Sequence, residues 1–287
     1  MRRLSLSLIA AVSAVAFTQI ASAADMPVNV PVYKAPAAVA RSWSGFYVGA
    51  NIGGGWGSRN VDYVPNDSAA VVLFGPGFNG APPSASFTSS GVLGGLQLGY
   101  NWQFNRNWLI GFETDFDWSG IKGSGSSGGV VRDGPSPFTA TADEHINWFG
   151  TVRARLGYLP ADNVLAYITG GFAYGRVEHT GMYVVNVGNG FSDNNSGFRF
   201  ACHPNENATC FAGSASSVAT GWTAGGGLEY AFWKNLTLKA EYLYVSLDSK
   251  SVSETATNFA GLKPSSFNAN YNRTYFNVAR VGLNYRF

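Results

Sequence analysis

Charged residues are scarce in this sequence of 287 residues. Lys, Arg, Asp and Glu make up 13% of the chain, against about 25% in an ordinary soluble domain. Disordered chains combine many charges with few apolar residues, whereas 46% of these residues are hydrophobic and 15% are aromatic, so a largely disordered chain is excluded. The basic residues form no stripe or cluster, and no nucleic-acid partner is predicted.

Long apolar runs are absent after residue 23, where no stretch reaches the roughly 18 consecutive apolar residues of a membrane helix. Residues 1–23 combine Arg2 and Arg3 with an apolar stretch and an Ala-Ser-Ala cleavage site, which predicts a signal peptide for Sec export. Its removal leaves 17 basic and 17 acidic residues, so the mature chain is neutral.

Cysteine is nearly absent, with only Cys202 and Cys210 in the chain. In an exported protein, two cysteines in a Gly-, Asn- and Ser-rich region predict one disulfide that closes a small loop. A zinc site built from these two residues and His203 would lack a fourth ligand, so no metal and no cofactor is predicted.

Residues 24–43 are rich in Pro and Ala and show no periodicity. This composition predicts an extended periplasmic tether rather than a folded element. The remaining residues, 44–287, are predicted to form a single domain.

The last stretch of the chain carries the pattern that organises this domain. Apolar or aromatic residues occupy every second position from Ala279 to Phe287, and Arg280, Gly282, Asn284 and Arg286 stand between them. A period of two predicts a β-strand. Seven other segments alternate in the same way, which predicts strands at 44–57, 89–104, 108–121, 144–159, 163–177, 217–232, 235–248 and 273–287. Each exceeds the roughly 9–11 residues that a tilted strand needs to cross a bilayer.

Short and long connections alternate between these strands. Tight turns are predicted at 105–107, 160–163 and 233–235, and long Gly-, Ser-, Asn- and Pro-rich loops at 58–88, 122–143, 178–215 and 250–272. This alternation is typical of outer-membrane barrels, and without helices only a closed barrel satisfies the backbone in a bilayer. The predicted fold is all-β: a transmembrane eight-stranded antiparallel up-and-down β-barrel with three short periplasmic turns, four long external loops and both termini in the periplasm.

Aromatic residues gather at both ends of the predicted strands. On the turn side these are Trp102, Phe104, Trp108, Tyr158, Tyr230, Phe232, Tyr285 and Phe287, and on the loop side Trp56, Trp118, Trp148, Tyr174, Trp222 and Tyr244. Two aromatic girdles around an apolar band predict two membrane interfaces.

Two end motifs carry a family resemblance. The opening Trp-Ser-Gly-Phe-Tyr-Val-Gly at 43–49 and the closing Val-Gly-Leu-Asn-Tyr-Arg-Phe at 281–287 resemble those of the alphaproteobacterial outer-membrane immunogenic proteins. These are small OmpA-like, opacity-protein-like barrels of the porin family in Gram-negative bacteria. The resemblance implies a surface-exposed outer-membrane barrel. It also implies that Arg280, Gly282, Tyr285 and Phe287 form an assembly signal that the barrel-insertion machinery reads. The other expected partners are outer-membrane lipid and lipopolysaccharide.

The inward faces of the predicted strands carry charges of both signs. The acids are Glu113, Asp115, Asp117, Glu229 and Glu241, and the bases are Arg153, Arg155, Lys239, Arg280 and Arg286. Eight strands leave a lumen that side chains fill, and unpaired charge is costly there. We therefore expect a plugged lumen with paired charges. The alternative is a narrow ion path, which would make the chain a small low-conductance porin.

An enzyme is not predicted. Asp143, Glu144 and His145 could supply the acid and base of a lipid hydrolase, but no G-x-S-x-G motif is present and no serine stands out as a nucleophile. With His179 and His203, His145 is interpreted as a solvated loop residue.

The loops leave a third function open. The predicted loop 178–215 is the longest and carries Phe191, Phe198, Phe200 and Phe211. These rings could contact a host surface, a phage or an aromatic ligand, or pack among themselves. The sequence favours a structural surface antigen of the cell envelope, with a porin or a loop-mediated adhesin or receptor as alternatives.

Overall fold

A computed structural model describes residues 42–67, 70, 84–130, 137–185, 191–193, 198–202, 208–248, 250–257 and 263–287. The predicted signal peptide at 1–23 and the predicted tether as far as residue 41 lie outside these residues. Nowhere in the described ranges is there a helix with the length and apolar character needed to cross a bilayer.

The described residues are organised almost entirely as β-strands. Their bounds are β1 (Gly45–Pro65), β2 (Ser84–Gln103), β3 (Trp108–Val130), β4 (Pro137–Ala161), β5 (Val164–Val185), β6 (Phe191–Asp193), β7 (Phe198–Cys202), β8 (Ala208–Ala231), β9 (Leu236–Leu247), β10 (Lys250–Ala256), β11 (Lys263–Pro264), β12 (Ser266–Tyr271) and β13 (Thr274–Arg286).

Eight of these strands close into a ring. In order around the ring they are β1, β2, β3, β4, β5, β8, β9 and β13, and each is antiparallel to its neighbours. Ala50 of β1, for example, pairs with Leu96 of β2 on one side and Leu283 of β13 on the other. The predicted eight-stranded up-and-down fold is therefore confirmed.

Tight connections at one end of the ring join β2 to β3, β4 to β5, and β8 to β9. The first and third are closed by backbone hydrogen bonds from Phe104 to Trp108 and from Trp233 to Leu236, at 3.2 and 3.3 Å. We call this end of the ring the turn end, and the opposite end the loop end.

The strands are longer at the loop end than the sequence predicts. The structure continues the strands into all four of the expected loops, 58–88, 122–143, 178–215 and 250–272, so each loop is shorter than predicted. For example, β3 runs to Val130 and β4 starts at Pro137. The alternating apolar pattern stops earlier because the outward face there is polar or small, as in the Gly-Ser repeat at 123–126. An antiparallel wall that faces water needs no apolar outer face.

The ring stays closed beyond this point. β12 pairs with β1 from Val61–Tyr271 to Pro65–Phe267, and β10 pairs with β12. β10 also touches β8 through two pairs, Thr255–Ala212 and Ala256–Phe211. β6, β7 and β11 form a separate small sheet.

Inward and outward faces follow the predicted alternation. Phe46, Ile52, Leu96, Ile168 and Leu228 are exposed on the outside, whereas the inward residues are buried in five successive layers. Along β4, from turn end to loop end, these layers contribute Leu159, then Arg155 and Arg153, then Phe149 and Ile146, then Glu144, and finally Ala142 and Ala140. The lumen is therefore filled by alternating apolar and polar side chains.

Candidate functional site: the filled lumen

Arg153 lies at the centre of the lumen and binds carboxylates on two strands. Its guanidinium is fully buried, 2.5 Å from Glu113 and 2.7 Å from Asp115 on β3, and 3.0 Å from Glu241 on β9. Because β9 lies three strands away from β4 around the ring, this one side chain spans the lumen. A guanidinium suits the position because its fork of donors can serve several carboxylates at once.

Two further bases share the same carboxylates. Arg155 lies 3.2 Å from Glu113 and 3.0 Å from Glu229. Lys239 lies 3.0 Å from Glu113 and 3.6 Å from Glu241. Removing a carboxylate such as Glu113 would therefore leave several buried cations short of a partner.

Arg280 completes this group from β13. It lies 2.7 Å from Asp115, 2.6 Å from Asp117 and 2.6 Å from Glu241. Nine of the ten predicted lumen charges thus form one connected set, which we call the central charge network: Glu113, Asp115, Asp117, Glu229, Glu241, Arg153, Arg155, Lys239 and Arg280.

Neutral side chains add further hydrogen bonds to the network. The hydroxyl of Tyr47 donates to Glu113 at 2.6 Å, and that of Tyr167 donates to Glu241 at 2.8 Å. Asn284 and Thr237 both donate to Glu229. Hydroxyl and amide groups of the protein thus donate to three of the buried carboxylates or to their partners, which strengthens the polar network.

The tenth predicted charge, Arg286, lies toward the turn end. Its guanidinium stacks over the ring of Trp43 at 4.6 Å and donates to the carbonyl of Ser42. Trp43 is fully buried, and its indole N–H donates to the carbonyl of Asp162 at 3.1 Å. The segment predicted as a tether thus ends in a side chain that is packed inside the barrel.

Trp43 belongs to an apolar layer that fills the lumen at the turn end. The layer consists of Trp43, Leu109, Leu159, Leu165, Tyr167 and Ala231, and we call it the turn-end layer. A second layer, the middle layer, lies on the other side of the central charge network and includes Leu93, Ile121, Phe149, Leu243 and Phe276. Apolar constrictions of this kind resist wetting and ion passage.

A second polar group lies beyond the middle layer, and the sequence did not predict it. Arg59 donates to both oxygens of Glu144 at 2.6 and 2.8 Å, and Thr274 donates to the same carboxylate at 3.2 Å. The Nδ1 atom of His179 lies 3.8 Å from Glu144, and its ring lies 4.1 Å from that of Tyr271. We call Arg59, Glu144, His179, Thr274 and Tyr271 the upper polar cluster.

The interpretation of His179 as a solvated loop residue is wrong, because β5 continues past its predicted end and turns this side chain into the lumen. His145 lies on the outer wall and is half-buried. His203 lies outside the described residues. Within the described ranges, no group of three or more His, Cys, Asp or Glu side chains is arranged to hold a metal ion.

An apolar cap fills the lumen at the loop end. It includes Val61, Tyr63, Tyr183, Phe211, Val252, Phe267 and Tyr271, and we call it the outer cap. Phe211, one of the four loop phenylalanines, is fully buried here and packs against Phe267, with ring centroids 5.3 Å apart. The sequence left open whether this ring is exposed or packed within the protein, and at Phe211 it is packed.

Cys210 is buried in this cap at the start of β8. The described residues include no free cysteine. Because the side chain of Cys202 lies outside the described part, the Cys202–Cys210 disulfide stays a prediction.

The predicted assembly signal lies on both faces of β13. Arg280 and Gly282 face inward, where a Cβ atom at Gly282 would lie 3.1 Å from the carbonyl oxygen of Ala50. Tyr285 and Phe287 face outward, with ring centroids 5.2 Å apart, and the Phe287 N–H bonds to the carbonyl of Phe46 at 3.0 Å. Recognition by the insertion machinery stays a prediction.

The outer wall carries an apolar band with aromatic side chains at both margins. Trp102, Trp108 and Phe232 are exposed at the turn end, and Trp56, Trp118 and Trp222 are exposed nearer the loop end. A closed ring with an apolar exterior and with its charged side chains inside defines an integral membrane β-barrel.

Known proteins agree with this class. The sequence model of the outer membrane protein beta-barrel domain family matches residues 28–287. The 31 kDa outer-membrane immunogenic protein of Brucella melitensis is 34% identical over 98% of this chain and 99% of the relative. The 22 kDa outer membrane protein of Rhizobium leguminosarum is 30% identical over 79% of this chain and 75% of the relative.

Solved structures of other proteins are also similar to this chain. OprG of Pseudomonas aeruginosa is similar at a TM-score of 0.39 and 10% identity, over 85% of this chain and 96% of that one. Ail of Yersinia pestis is similar at a TM-score of 0.35 and 15% identity, over 85% and 99%. On the family match and the Brucella relative, the chain belongs to the outer membrane protein beta-barrel domain family, and it is an outer-membrane protein.

Proposed function

We propose that this protein is a structural component of the outer membrane whose barrel is sealed and whose loop end is displayed as a surface antigen. The observation that carries the proposal is the filling of the lumen: Arg153 bridges the barrel at its centre, and apolar layers lie on both sides of the central charge network. The role is non-catalytic, since the family and the named relatives are described as outer-membrane proteins and not as enzymes.

Planar-bilayer recording tests the seal. Purified wild-type protein is expected to give no reproducible conductance steps. Arg153→Ala is also expected to stay silent, because the turn-end and middle layers would remain in place; Arg176→Ala, which removes an exposed cation on the outer wall, is the matched control. Reproducible wild-type steps that change in size in Arg153→Ala but not in Arg176→Ala would show the alternative, a low-conductance porin.

The antigen role is supported by the relatives whose names describe immunogenic outer-membrane proteins. It requires the loop end to face the outside and the turn end to face the periplasm, with export by the Sec pathway. Single cysteines introduced into a cysteine-free variant test this topology: a membrane-impermeant maleimide should label Ser126→Cys, but not Arg106→Cys, on intact cells. Labelling of Arg106→Cys alone would reverse the orientation.

A loop-mediated adhesin or receptor is the other alternative. β5 and β8 remain paired up to Val185–Ala208, so the loop can be deleted only within 186–207 if the barrel wall is to be kept. Cys210→Ala should accompany the deletion because it removes Cys202. Binding of a host surface or phage that disappears with this deletion, while the barrel remains heat-modifiable, would favour the receptor over the purely structural role.

A further inference from the structure

Glu254 of β10 is a buried carboxyl group that the sealed-barrel function does not use. Its side chain is inaccessible to solvent, and neither carboxylate oxygen has a hydrogen-bond partner among the described residues. It lies beyond the loop-end aromatic girdle, at the level of the outer cap. A buried ionised carboxylate without a partner is strongly unfavourable, so such a group stays protonated.

Among the residues that the structure describes, the groups around Glu254 offer it no compensating charge. Burial raises the pKa values of Tyr63 of β1 and Tyr271 of β12, and the nearby carboxyls of Glu254 and of Asp143 on β4 raise them further. On β5, the backbone of Gly181 packs directly against the carboxyl group, and a Cβ atom there would overlap it. β5 also carries two titratable groups, Tyr183 and His179, one on either side of Gly181.

The charged groups of the neighbouring layer are already paired. Arg59, the nearest basic residue on β1, has both of its short carboxylate contacts with Glu144. On β10 itself, Lys250 is exposed to solvent. Burial accordingly raises the pKa of Glu254 from 4.5 to about 8.

The pairing between β10 and β8 is irregular, and we call this junction the seam. Toward the turn end, the N–H of Asp248 bonds to the carbonyl of Thr220 at 2.9 Å; toward the loop end, the next pair is Thr255 with Ala212. Between these two points β8 has one residue more than the facing chain. β10 therefore touches β8 through two pairs, and the N–H of Thr257 just after β10 donates to the carbonyl of Cys210 at 2.9 Å. With β12, in contrast, β10 is paired from Lys250 to Thr255.

We propose that the Glu254 carboxyl is a proton-dependent latch for the outer cap: when protonated it lets β10 close against β8, and when ionised it opens this seam. Opening at the seam is the smallest rearrangement that brings the carboxylate to water, because only β10 has to come away from its neighbours and the pairing of β12 with β1 can persist. The device concerns the outer cap alone, since the central charge network and the middle layer lie on other levels of the lumen.

The pH dependence follows from the direction of the shift. In the open seam the carboxyl meets water and titrates near 4.5, whereas in the closed cap it titrates near 8. The protonated carboxyl therefore makes its full contribution to the stability of the closed cap below pH 4.5, and this contribution is lost as the pH rises to 8. The opening constant rises by up to roughly tenfold per pH unit within this window.

Hydrogen–deuterium exchange of the full chain in detergent micelles tests the latch, with protection factors corrected for the intrinsic exchange rate at each pH. Between pH 5 and pH 8, protection of amides in 250–256 is expected to fall at least thirtyfold, while amides in 236–247 of the membrane band keep theirs. Glu254→Gln should abolish this dependence, and Glu178→Gln, which alters a carboxyl on the outer wall, should leave it as in the wild type.

Three results would overturn the latch: unchanged protection in wild-type 250–256, an equal fall in 236–247, or the same fall in Glu254→Gln. Heat-modifiability on a gel shows whether a variant has folded, and Glu254→Leu replaces the Gln variant if that one does not. If neither variant folds, the wild-type comparison of 250–256 with 236–247 still decides.

Discussion

Arg59 of β1 and Glu144 of β4 meet inside the barrel, with the Nε atom of Arg59 at 2.6 and 2.8 Å from the two carboxylate oxygens. Both side chains are almost completely buried. β1 and β4 are separated by β2 and β3 in the ring, so this pair spans the lumen. It therefore links opposite walls of the barrel in its loop-end half, as Arg153 does nearer the turn end.

Removing one partner should be strongly destabilising. Glu144→Gln leaves the Arg59 guanidinium buried without its counter-charge, which we expect to cost about 3–5 kcal/mol of unfolding free energy. Glu178→Gln, at an exposed carboxyl paired with Arg176, should change it by less than about 1 kcal/mol. Urea unfolding in lipid vesicles measures both, and equal effects would contradict the role of the buried pair.

Replacing both partners tests the same pair from the other direction. Apolar side chains of similar volume need no counter-charge, so Arg59→Met combined with Glu144→Leu should be more stable than Glu144→Gln alone. The same urea titration gives the comparison. If the double variant were less stable than Glu144→Gln, the two side chains would contribute to stability by more than neutralising each other's charge.

Acid should weaken the barrel through His179. Burial, and after it the positive charge of Arg59, lower the pKa of His179 from 6.5 to about 4; Glu144 and Tyr271 also face the ring. The unfolded chain takes up this proton first, so the contribution is present above pH 6.5 and is lost as the pH falls to 4. The loss is on the order of 3 kcal/mol.

The difference between wild type and His179→Gln isolates this effect. Other carboxyls, Glu254 among them, titrate in the same range and contribute equally to both proteins. If His179 is the group responsible, the unfolding free energy of the wild type should fall relative to that of His179→Gln by on the order of 3 kcal/mol between pH 7 and pH 4. Parallel curves would assign the acid sensitivity elsewhere.

The period of two was enough to predict the ring and the central charge network, because outward residues are selected by lipid and inward residues by the lumen. The alternation between odd-numbered and even-numbered positions could not predict the upper polar cluster. On β4, Arg153 and Glu144 both face inward although their numbers differ in parity, because the register shifts between Ile146 and Trp148. A β-bulge of this kind adds one residue and reverses the alternation, and Asn147 gives no sign of it in the sequence.

The apolar layers were missed for a different reason. The prediction assigned apolar side chains to lipid and polar ones to the lumen, yet Phe149, Leu243 and Phe276 face inward and fill the middle layer. Which inward positions are apolar depends on what lies opposite them in the ring. That information is in the register between strands and not in the period of any one strand.

Trp43 should contribute to the stability of the barrel by filling the lumen at the turn end. Trp43→Ala removes the largest side chain of the turn-end layer and leaves Arg286 without the ring on which it stacks. We expect a loss of about 3–5 kcal/mol, measured as a lower temperature of heat-modifiability. Trp233→Ala is the matched control, because that indole is 69% exposed at the same end of the barrel. Similar losses in both variants would show that Trp43 is no more than a surface contact.

The predicted Cys202–Cys210 disulfide should affect only the loop end. Reduction, or Cys210→Ser, is expected to change migration on a non-reducing gel without unfolding the barrel, since the ring is held by strand pairing from β1 to β13. Mass spectrometry of peptides from non-reduced protein measures the bond directly. Free thiols at both positions in protein purified from the envelope would rule it out.

Phe287 should matter for assembly more than for stability. Its side chain is 73% exposed on the outer wall, and its main structural contact is the backbone hydrogen bond to Phe46, which an alanine would keep. Phe287→Ala should therefore change the unfolding free energy by less than about 1 kcal/mol while reducing the amount of protein inserted in the outer membrane several-fold. Phe232→Ala removes another exposed ring near the turn end and should leave insertion unchanged. If both variants insert equally well, the closing aromatic is a membrane anchor and not a signal to the insertion machinery.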